Sequence, residues 1–451
     1  MARRVYTIAK SSTFLLILFV ILIFTCVSNI QAETIELTLE EAIGLGLMNS
    51  SGLKTKMLSL ASAGADVQVA RASGYTNVSL STSYSHIFDQ PTLFGMYVAA
   101  KDEIVVGVSA QQPLFTFGKI KTGINLAEEG MTQARLELEE EKRSLIMAIK
   151  RAFYGYILAR EVLAVQEETL SNKQEAFDIA RMRYDAGLGA EIEVLSAESD
   201  VENFLPEVIS ARNEVDFAIL AVMELLELGE EEGEYDIVLV GELEPEYHTF
   251  TKSELVDIAM KNNFDLQKYR TGINTAEYQK YLARREKYPT IAGFANYSVQ
   301  SGYDPETGEN KFSGPDWSDL LTLGLTVQMP LSGLFPWSAE NAKAKKSEFD
   351  LESLHTGLSS VKSGITLAIQ NILLSLKEEE AKISSGEKRV ELARKYLETS
   401  KKSYENGLIS NTDLKDAQLN LNIAQLGYLS AIYNYNLALY DLYDAVGVDH
   451  M

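Results

Sequence analysis

Residues 38–53 read TLEEAIGLGLMNSSGL, and residues 251–266 read TKSELVDIAMKNNFDL. The two stretches align without a gap, and the same offset carries the match onward to Tyr84 and Tyr297. Self-similarity over such a distance indicates that the chain contains two copies of one structural unit. Each copy is predicted to run in the order helix, strand, strand, long helix, long helix.

The N-terminus has the pattern of a secretory signal peptide. Three basic residues within the first ten precede an apolar stretch at 14–27, which is shorter than the roughly 20 residues a membrane-spanning helix needs. We therefore expect residues 1–32 to be removed. In the alternative, a lipoprotein, Cys26 would be acylated, but it follows Thr25 rather than the usual Gly, Ala or Ser.

Composition narrows the possible functions of the mature chain. Cys26 is the only cysteine, so removal of the signal peptide would leave no disulfide or thiol chemistry. The formal net charge of −23 argues against nucleic acid as a partner, because phosphate binding needs a basic surface.

Both halves contain segments with the alternation of β-strands. From residue 78 to 85 the sequence is VSLSTSYS, with apolar residues or threonine on one face and serine on the other. We predict β-hairpins at 77–114 and 290–330, with strands of about ten residues, the length of a tilted transmembrane strand. A soluble β-sandwich has the same alternation, but aromatic residues near both ends of these strands favour a bilayer interface. Two hairpins cannot close a barrel alone, so a membrane location requires several chains to share one.

The remaining segments predict long helices in pairs, at 119–228 and 337–447. In each pair the first helix carries an apolar or aromatic residue at every seventh position, which predicts a narrow packing seam and supercoiling. The first seam consists of Ile149, Tyr156, Leu163, Leu170, Phe177 and Tyr184. The second consists of Ile369, Leu376, Ile383, Val390, Leu397 and Tyr404. A helix from residue 119 to 184 would be roughly 100 Å long.

Glycines mark the end of each long helix. Gly187 and Gly407 are expected to take the left-handed conformation that terminates a helix. The returning helix of the first copy contains Pro206, which should kink it, whereas the matching position in the second copy is Leu426.

These motifs, in this duplicated order, resemble those of the TolC-like outer-membrane efflux protein family. The residues that carry the resemblance are Leu39-Glu-Glu-Ala42-Ile43 with Asn49 and Leu53, Gln112-Pro113-Leu114-Phe115 with Gly118, Tyr184-Asp-Ala-Gly187-Leu188 and Tyr404-Glu-Asn-Gly407-Leu408. The duplicated order of the motifs, rather than any single motif, is specific to the family. The resemblance covers nearly all of the mature chain.

The resemblance implies an α+β membrane protein that forms a homotrimer. Four strands per chain would build a trimeric transmembrane β-barrel, continued by a long α-helical barrel in the periplasm. The expected domains are a signal peptide at 1–32, a first repeat at 33–228, an acidic equatorial segment at 229–250 and a second repeat at 251–447. The implied partners are outer-membrane lipid, a periplasmic adaptor (membrane fusion) protein and an inner-membrane pump of the RND, ABC or MFS type. No cofactor or bound metal is implied.

The resemblance also indicates functional residues at the helix tips. Asp413 and Asp416 correspond to the aspartates that constrict the periplasmic aperture in the family, and Glu193 corresponds to Asp413 in the first repeat, where Ser196 replaces the second acid. Three copies of a carboxylate around a narrow axis would attract cations and raise one another's proton affinity. In the alternative, Asp413 is a first-turn acid favoured by the helix dipole, and both roles are compatible.

The turn residues suggest contact with the adaptor. Gly187, Leu188, Gly407 and Leu408 are candidates for adaptor docking, in addition to the capping role of the glycines.

The function predicted from this pattern is an exit duct of a tripartite efflux or type I secretion system, without enzymatic activity. The four histidines are scattered and none has a partner at metal-ligand spacing. The heptads alone would also fit a secreted coiled-coil spacer or adhesin, and the exported substrate is not specified by the sequence.

Overall fold

The computed structural model describes residues 34–228, 236–311 and 317–448. The predicted signal peptide, including Cys26, and the acidic run at 229–235 lie outside the described residues. Contacts divide the chain into two compact units. The first unit contains residues up to Ser51, Ser144–Tyr247 and Ser375–Ala438, and the second contains Gly52–Arg143, His248–Leu374 and residues from Leu439 onward.

The helices occur in the predicted order, with one difference. In the described ranges they are α1 (Leu39–Asn49), α2 (Ser51–Ala72), α3 (Lys119–Asp185), α4 (Glu191–Leu225), α5 (Lys252–Asn262), α6 (Phe264–Arg285), α7 (Ala339–Glu405) and α8 (Asn411–Val446). The single opening helix predicted for each repeat is in fact two helices, because the chain leaves helical geometry at Ser50 and at Asn263. None of the helices in the described part of the chain is long and apolar enough to cross a membrane.

The strands are β1 (Thr34–Leu37), β2 (Asn77–His86), β3 (Thr92–Leu93), β4 (Met96–Tyr97), β5 (Asp102–Phe115), β6 (Asp236–Leu239), β7 (Thr290–Gln300), β8 (Gly302–Tyr303), β9 (Asn310–Lys311) and β10 (Ser318–Gln328). The two predicted hairpins join through β5 and β7 into one antiparallel four-stranded sheet, in the order β10-β7-β5-β2. This joining of the hairpins was not predicted.

The sheet has one apolar face across all four strands. The register aligns Leu80 with Val108, Val108 with Tyr297, and Tyr297 with Leu321, so that their side chains share a face. The apolar side chains of the edge strands are exposed, with Leu323 at 71%. The central strand β7 has a weak apolar pattern, and Leu114 and Leu325 fill the space beside its Gly293.

The two hairpin loops carry short strands and bond to each other. The Tyr97 amide donates to the Pro305 carbonyl at 2.8 Å, and Lys101 donates to Gly308 at 3.1 Å. The Asp304 carboxylate accepts a bond from the Glu306 amide at 2.9 Å, which is typical of a polar turn.

The segment predicted to be equatorial, 229–250, contains a strand that the sequence did not predict. β6 pairs in parallel with β1, and Ile237 and Leu239 are buried in a cluster with Ile149, Phe153 and Val222. Arg160 of α3 holds the exit from β6 by donating to the Gly241 carbonyl at 3.0 Å.

An asparagine closes each return helix. Asn49 donates to the carbonyl of Leu226 at 3.1 Å, at the end of α4. Asn263 donates to the carbonyl of Ala445 at 3.0 Å, at the end of α8. The gap-free alignment pairs Asn49 with Asn262, but the side chain that bonds to the end of the second return helix is that of Asn263, one position later.

The predicted heptad seams are buried to different degrees. In α7 every seam residue is buried except Val390, which is half-buried. In α3 only Ile149 and Tyr156 are buried, and Tyr184 at the end of the seam is 45% exposed. The seam of α3 is therefore wrong toward its C-terminus, where Ala176, Ile179 and Ala180 are buried instead. The helices that pack against α3 set the position of its buried stripe, since α7, which has the same length, keeps its seam buried as far as Tyr404.

Candidate functional site at the helix tips

Both predicted tips are closed by the same backbone geometry. Gly187 has φ +74° and Gly407 has φ +69°, the left-handed conformation expected from the sequence. In the first tip the amides of Gly187 and Leu188 donate to the carbonyls of Tyr184 and Arg183, at 2.9 and 2.8 Å. The second tip repeats both bonds at the same lengths, so each turn is a Schellman motif.

Each tip leaves a leucine in solvent. In many Schellman motifs the residue after the glycine packs against the last turn of the helix. Here Leu188 is 74% exposed and Leu408 is 76% exposed. Two large apolar side chains at equivalent positions are therefore free for contact with another molecule.

Asp413 is part of a capping box at the start of α8. Its carboxylate accepts bonds from the Ser410 amide at 2.9 Å and the Ser410 hydroxyl at 2.7 Å, and the Ser410 hydroxyl accepts from the Asp413 amide at 3.2 Å. The hydroxyl and the amide of Ser410 hold the pKa of Asp413 below its ordinary value. Within one chain this direction is opposite to the rise expected for a ring of repelling carboxylates. The capping role is therefore present, while the ring role depends on further copies.

Asp416 is exposed one turn farther along α8. Between the two aspartates, the amino group of Lys415 lies 2.5 Å from the Asp200 carboxylate and 2.9 Å from the Ser196 hydroxyl. Ser196 stands where the first repeat lacks the second acid, and its hydroxyl accepts a hydrogen bond from Lys415 of the second repeat. Lys415 was not identified from the sequence, because its partners Ser196 and Asp200 are more than 200 residues away.

Glu193 has a different environment from its counterpart Asp413. The residue before α4 is Ala190, which provides no side-chain cap. One carboxylate oxygen of Glu193 is buried without a hydrogen-bond partner in the described part of the chain, and so is the hydroxyl of Tyr404. Burial raises the pKa of Tyr404, and the charge of Glu193 raises it further.

Arg183 connects the two tips. Its guanidinium donates to the Tyr404 carbonyl and, at 3.5 Å, to the Leu188 carbonyl. It also lies 5.1 Å from the centre of the Tyr404 ring, in cation–π geometry. Glycine at position 407 leaves room for the Arg183 side chain, because a Cβ at this position would stand 3.1 Å from a guanidinium nitrogen. Arg183 was not singled out from the sequence, since no local pattern shows that its partner is more than 200 residues away.

The chemistry available at the tips is recognition and electrostatics. The structure places Gly187, Leu188, Gly407, Leu408, Glu193, Asp413 and Asp416 in the two turns and in the first two turns of the helices that follow them. Within the described residues, no group of three or more His, Cys, Asp or Glu side chains is arranged to hold a metal ion.

Comparison with known proteins identifies the kind of molecule. The outer membrane efflux protein family matches residues 42–227 and, separately, residues 255–448. The two matches correspond to the two repeats found in the sequence.

Curated relatives are distant. Nodulation protein T of Rhizobium leguminosarum bv. viciae is 22% identical over 275 residues, which is 60% of this chain and 55% of the relative. Outer membrane protein TolC of Vibrio cholerae is 20% identical over 230 residues, which is 51% of each chain. The chain thus spans about half the length of the curated relatives it matches.

The fold matches solved structures over most of their length. The outer membrane protein VceC of Vibrio cholerae superposes with a TM-score of 0.74 at 18% identity, covering 91% of this chain and 96% of that one. This similarity shows the fold.

The family places the protein in the outer membrane, with its helical part in the periplasm. Proteins of this family are channels rather than enzymes. The duplicated match, the fold and the glycine-closed helix tips show that this chain belongs to the outer membrane efflux protein family, as the resemblance to TolC-like proteins had implied.

Proposed function

We propose that the chain forms a homotrimeric, passive exit duct, coupled to an inner-membrane pump of the RND, ABC or MFS type through a periplasmic adaptor protein. The observation that carries this proposal is the four-stranded sheet with an exposed apolar face and two edge strands, β10 and β2. The system served would be a tripartite efflux or a type I secretion system.

The sheet needs partners if it lies in lipid. Strand edges carry unpaired amide and carbonyl groups, and each such group costs several kcal/mol in hydrocarbon. Pairing β2 of one copy with β10 of the next removes both edges when the copies close a ring. Three copies, the number the family resemblance implies, would give a transmembrane barrel.

The other face of the sheet suits an aqueous lumen. Ser79 and Ser109 bond to each other at 2.7 Å, and Ser81 donates to the Gly107 carbonyl at 3.4 Å. Small hydroxyl side chains stay wetted and leave the interior open, while the leucines and valines of the opposite face contact lipid.

The repeats would supply equivalent parts of the duct. We infer a first repeat at 33–228 and a second at 251–447, joined by the equatorial segment 229–250. Each provides one hairpin to the barrel and one helix pair to the periplasmic tunnel.

The helix tips would form the aperture. In a trimer, Asp413, Asp416 and Glu193 would each occur three times, and clustered carboxylates favour cations. The exposed Leu188 and Leu408, each beside its capping glycine, would contact the adaptor.

Conductance of the purified trimer in planar bilayers tests the duct. We expect conduction with cation preference, and a lower preference in the double variant Asp413→Ala/Asp416→Ala. The control is Glu352→Ala, which removes an exposed carboxylate from the N-terminal quarter of α7, far along the helix from the tip, and should leave selectivity unchanged. Silent bilayers from a well-folded trimer would contradict the proposal.

Cross-linking to the adaptor tests the tips. Leu188→Ser/Leu408→Ser changes two exposed side chains, so the trimer and its conductance should persist while adaptor cross-linking and export decline. Export at the wild-type level would show that these leucines do not dock the adaptor.

A coiled-coil spacer or adhesin is the second candidate, favoured by the buried heptad seam of α7. Fractionation separates the two functions, because a spacer would leave the membrane in carbonate or high salt.

A further inference from the structure

The two ends of the four-stranded sheet differ sharply in charge. The antiparallel register brings the starts of β2 and β7 and the ends of β5 and β10 to one end, which we call the helical end. The segments that adjoin the sheet there are 65–76, 116–127, 278–290 and 331–346. They carry ten Lys or Arg residues and three acidic residues, although the whole chain has a net charge of −23.

The opposite end has the reverse balance. Its loops, at 86–103 and 300–319, carry eight acidic residues and two lysines. The basic charge is therefore concentrated at the helical end and is not a property of the sheet as a whole. A local excess of basic residues on an acidic protein indicates an anionic partner at that place.

Aromatic side chains lie among the cations of the helical end. Phe117 stacks on Tyr288 with ring centres 5.3 Å apart, and Phe335 stacks on Trp337 at 5.1 Å. Trp337 is 82% exposed. Aromatic rings beside Lys and Arg are typical of the level where lipid headgroups meet the acyl chains.

The basic side chains of the helical end make different contacts. The guanidinium of Arg285 lies 4.6 Å from the Tyr281 ring centre and 5.2 Å from that of Tyr288. Lys119 donates to the Tyr288 carbonyl at 2.9 Å. These two residues order the surface and keep their full positive charge. Arg284, Lys343 and Lys346 are each paired with a carboxylate instead.

A concave pocket of about 410 Å³ opens in this surface. Its lining combines one cation with polar and apolar walls: Lys287, Tyr288, Asn341, Met329, Leu334 and Pro336. Lys287 is half-buried, and it packs closely on Gly333, where a Cβ would stand 2.6 Å from the Lys287 Cβ. The Asn341 amide donates to the carbonyls of Gly333 and Phe335 at 3.2 and 2.8 Å, which fixes the part of the wall that packs against the lysine.

We propose that this pocket binds the phosphate group of an anionic phospholipid of the periplasmic leaflet, with Lys287 as its main charged contact. The inference rests on the proposed membrane duct, because the helical end reaches the bilayer interface only if the sheet lies in lipid. The phosphate faces Lys287, and the start of the acyl chains follows Met329 and Leu334 toward the apolar face of the sheet. The apolar walls and the exposed Trp337 distinguish a lipid site from a site for a free anion.

Lipid binding to the full-length, detergent-solubilised protein tests the proposal, using native mass spectrometry with phosphatidylglycerol or phosphatidylcholine. We expect phosphatidylglycerol to bind more tightly, and Lys287→Gln to weaken it about fivefold, since one lysine near an anionic surface is worth about 1 kcal/mol. Lys287→Arg should retain the binding, which separates loss of charge from loss of folding.

Lys362→Gln is the matched control. Lys362 lies in another pocket of similar size, about 390 Å³, also in the second unit. That pocket has no aromatic residue in its lining, and the control variant should bind phosphatidylglycerol as the wild type does.

Three results would overturn the proposal. They are equal affinity for the two lipids, unchanged binding in Lys287→Gln, and displacement of the lipid by millimolar inorganic phosphate. Bilayer conductance keeps the two inferences apart: a conducting trimer with no anionic preference contradicts the lipid site alone, whereas failure to insert contradicts the duct.

Discussion

Tyr184 and Tyr404 occupy the same position in the two repeats, three residues before the glycine of the helix-tip turn, yet their environments differ. Tyr404 is 1% exposed in a cluster with Ile179, Leu397 and Leu414, while Tyr184 is 45% exposed. The equivalent residues just before them are Arg183 and Ser403. Only the arginine is long enough to reach the other tip and cover the Tyr404 ring.

The difference shows that a duplicated sequence does not produce duplicated packing. Both turns keep the same backbone bonds, because a Schellman motif needs only a glycine and a helix end. The side chains around them depend on which helix lies opposite, and that helix is different for each copy.

The largest effect is expected from truncation of the buried tyrosine. Tyr404→Ala should lower the free energy of unfolding by about 3–5 kcal/mol, because it opens a cavity in the tip cluster. Tyr184→Ala should cost less than about 1 kcal/mol. Denaturation of the detergent-solubilised protein, followed by circular dichroism, measures both. Equal losses would mean that the two positions are packed alike.

Arg183→Met should also destabilise the folded chain. It removes the charged donor to the carbonyls of Tyr404 and Leu188, worth about 1–2 kcal/mol at a partly exposed position. Arg181→Met, at an exposed cation two residues earlier, is the control and should change stability little. The same denaturation experiment compares them, and a loss confined to the control would refute the bridging role.

The ends of the return helices provide a second comparison. Gly447 has φ +84°, and a Cβ there would stand 2.6 Å from the backbone of Asn262. Gly447→Ala should therefore cost about 1–3 kcal/mol. The equivalent residue Glu227 also has positive φ, +48°, but its carboxylate accepts from the Ser51 amide at 2.9 Å.

Glu227→Gly is the reciprocal change. It relieves backbone strain but loses the bonds to Ser51, so its net effect should be smaller than that of Gly447→Ala. The melting temperatures of the two variants decide this, and a larger drop in Glu227→Gly would show that the carboxylate dominates.

Ala190→Ser should stabilise the first tip by about 0.5–1 kcal/mol. The second tip has a capping box between Ser410 and Asp413, whereas Ala190 gives Glu193 no partner for its buried oxygen. The substitution supplies the missing hydroxyl. Hydrogen exchange of the first amides of α4 would slow, and unchanged exchange would show that the box does not form.

The smallest effect is the pH dependence of the existing cap. Because the pKa of Asp413 is lowered in the folded chain, its contribution is fully present above its ordinary value of 3.8 and is lost as pH falls through the lowered value. Asp413→Asn should thus be less stable than wild type at neutral pH and converge with it in acid. Melting temperatures from pH 7 down to pH 2 check this, and a constant difference would contradict it.

Much of the fold was predictable from local patterns. The alternation at 78–85 predicted β2, the seven-residue repeat predicted the long helices, and Gly187 and Gly407 predicted the turns. The α3 seam failed near Tyr184 because burial there depends on a partner helix and not on period alone. Arg183 and Lys415 were missed because their partners are distant in sequence.

The sequence by itself determined the duplication, the element order and the glycine-closed turns, because periodicity and backbone conformation are properties of neighbouring residues. Only the tertiary structure decided that β5 joins β7, that β6 pairs with β1, and that Asn263 rather than Asn262 closes α8. Those contacts join segments far apart in the chain, and their free energy comes from packing and hydrogen bonds that no local pattern records.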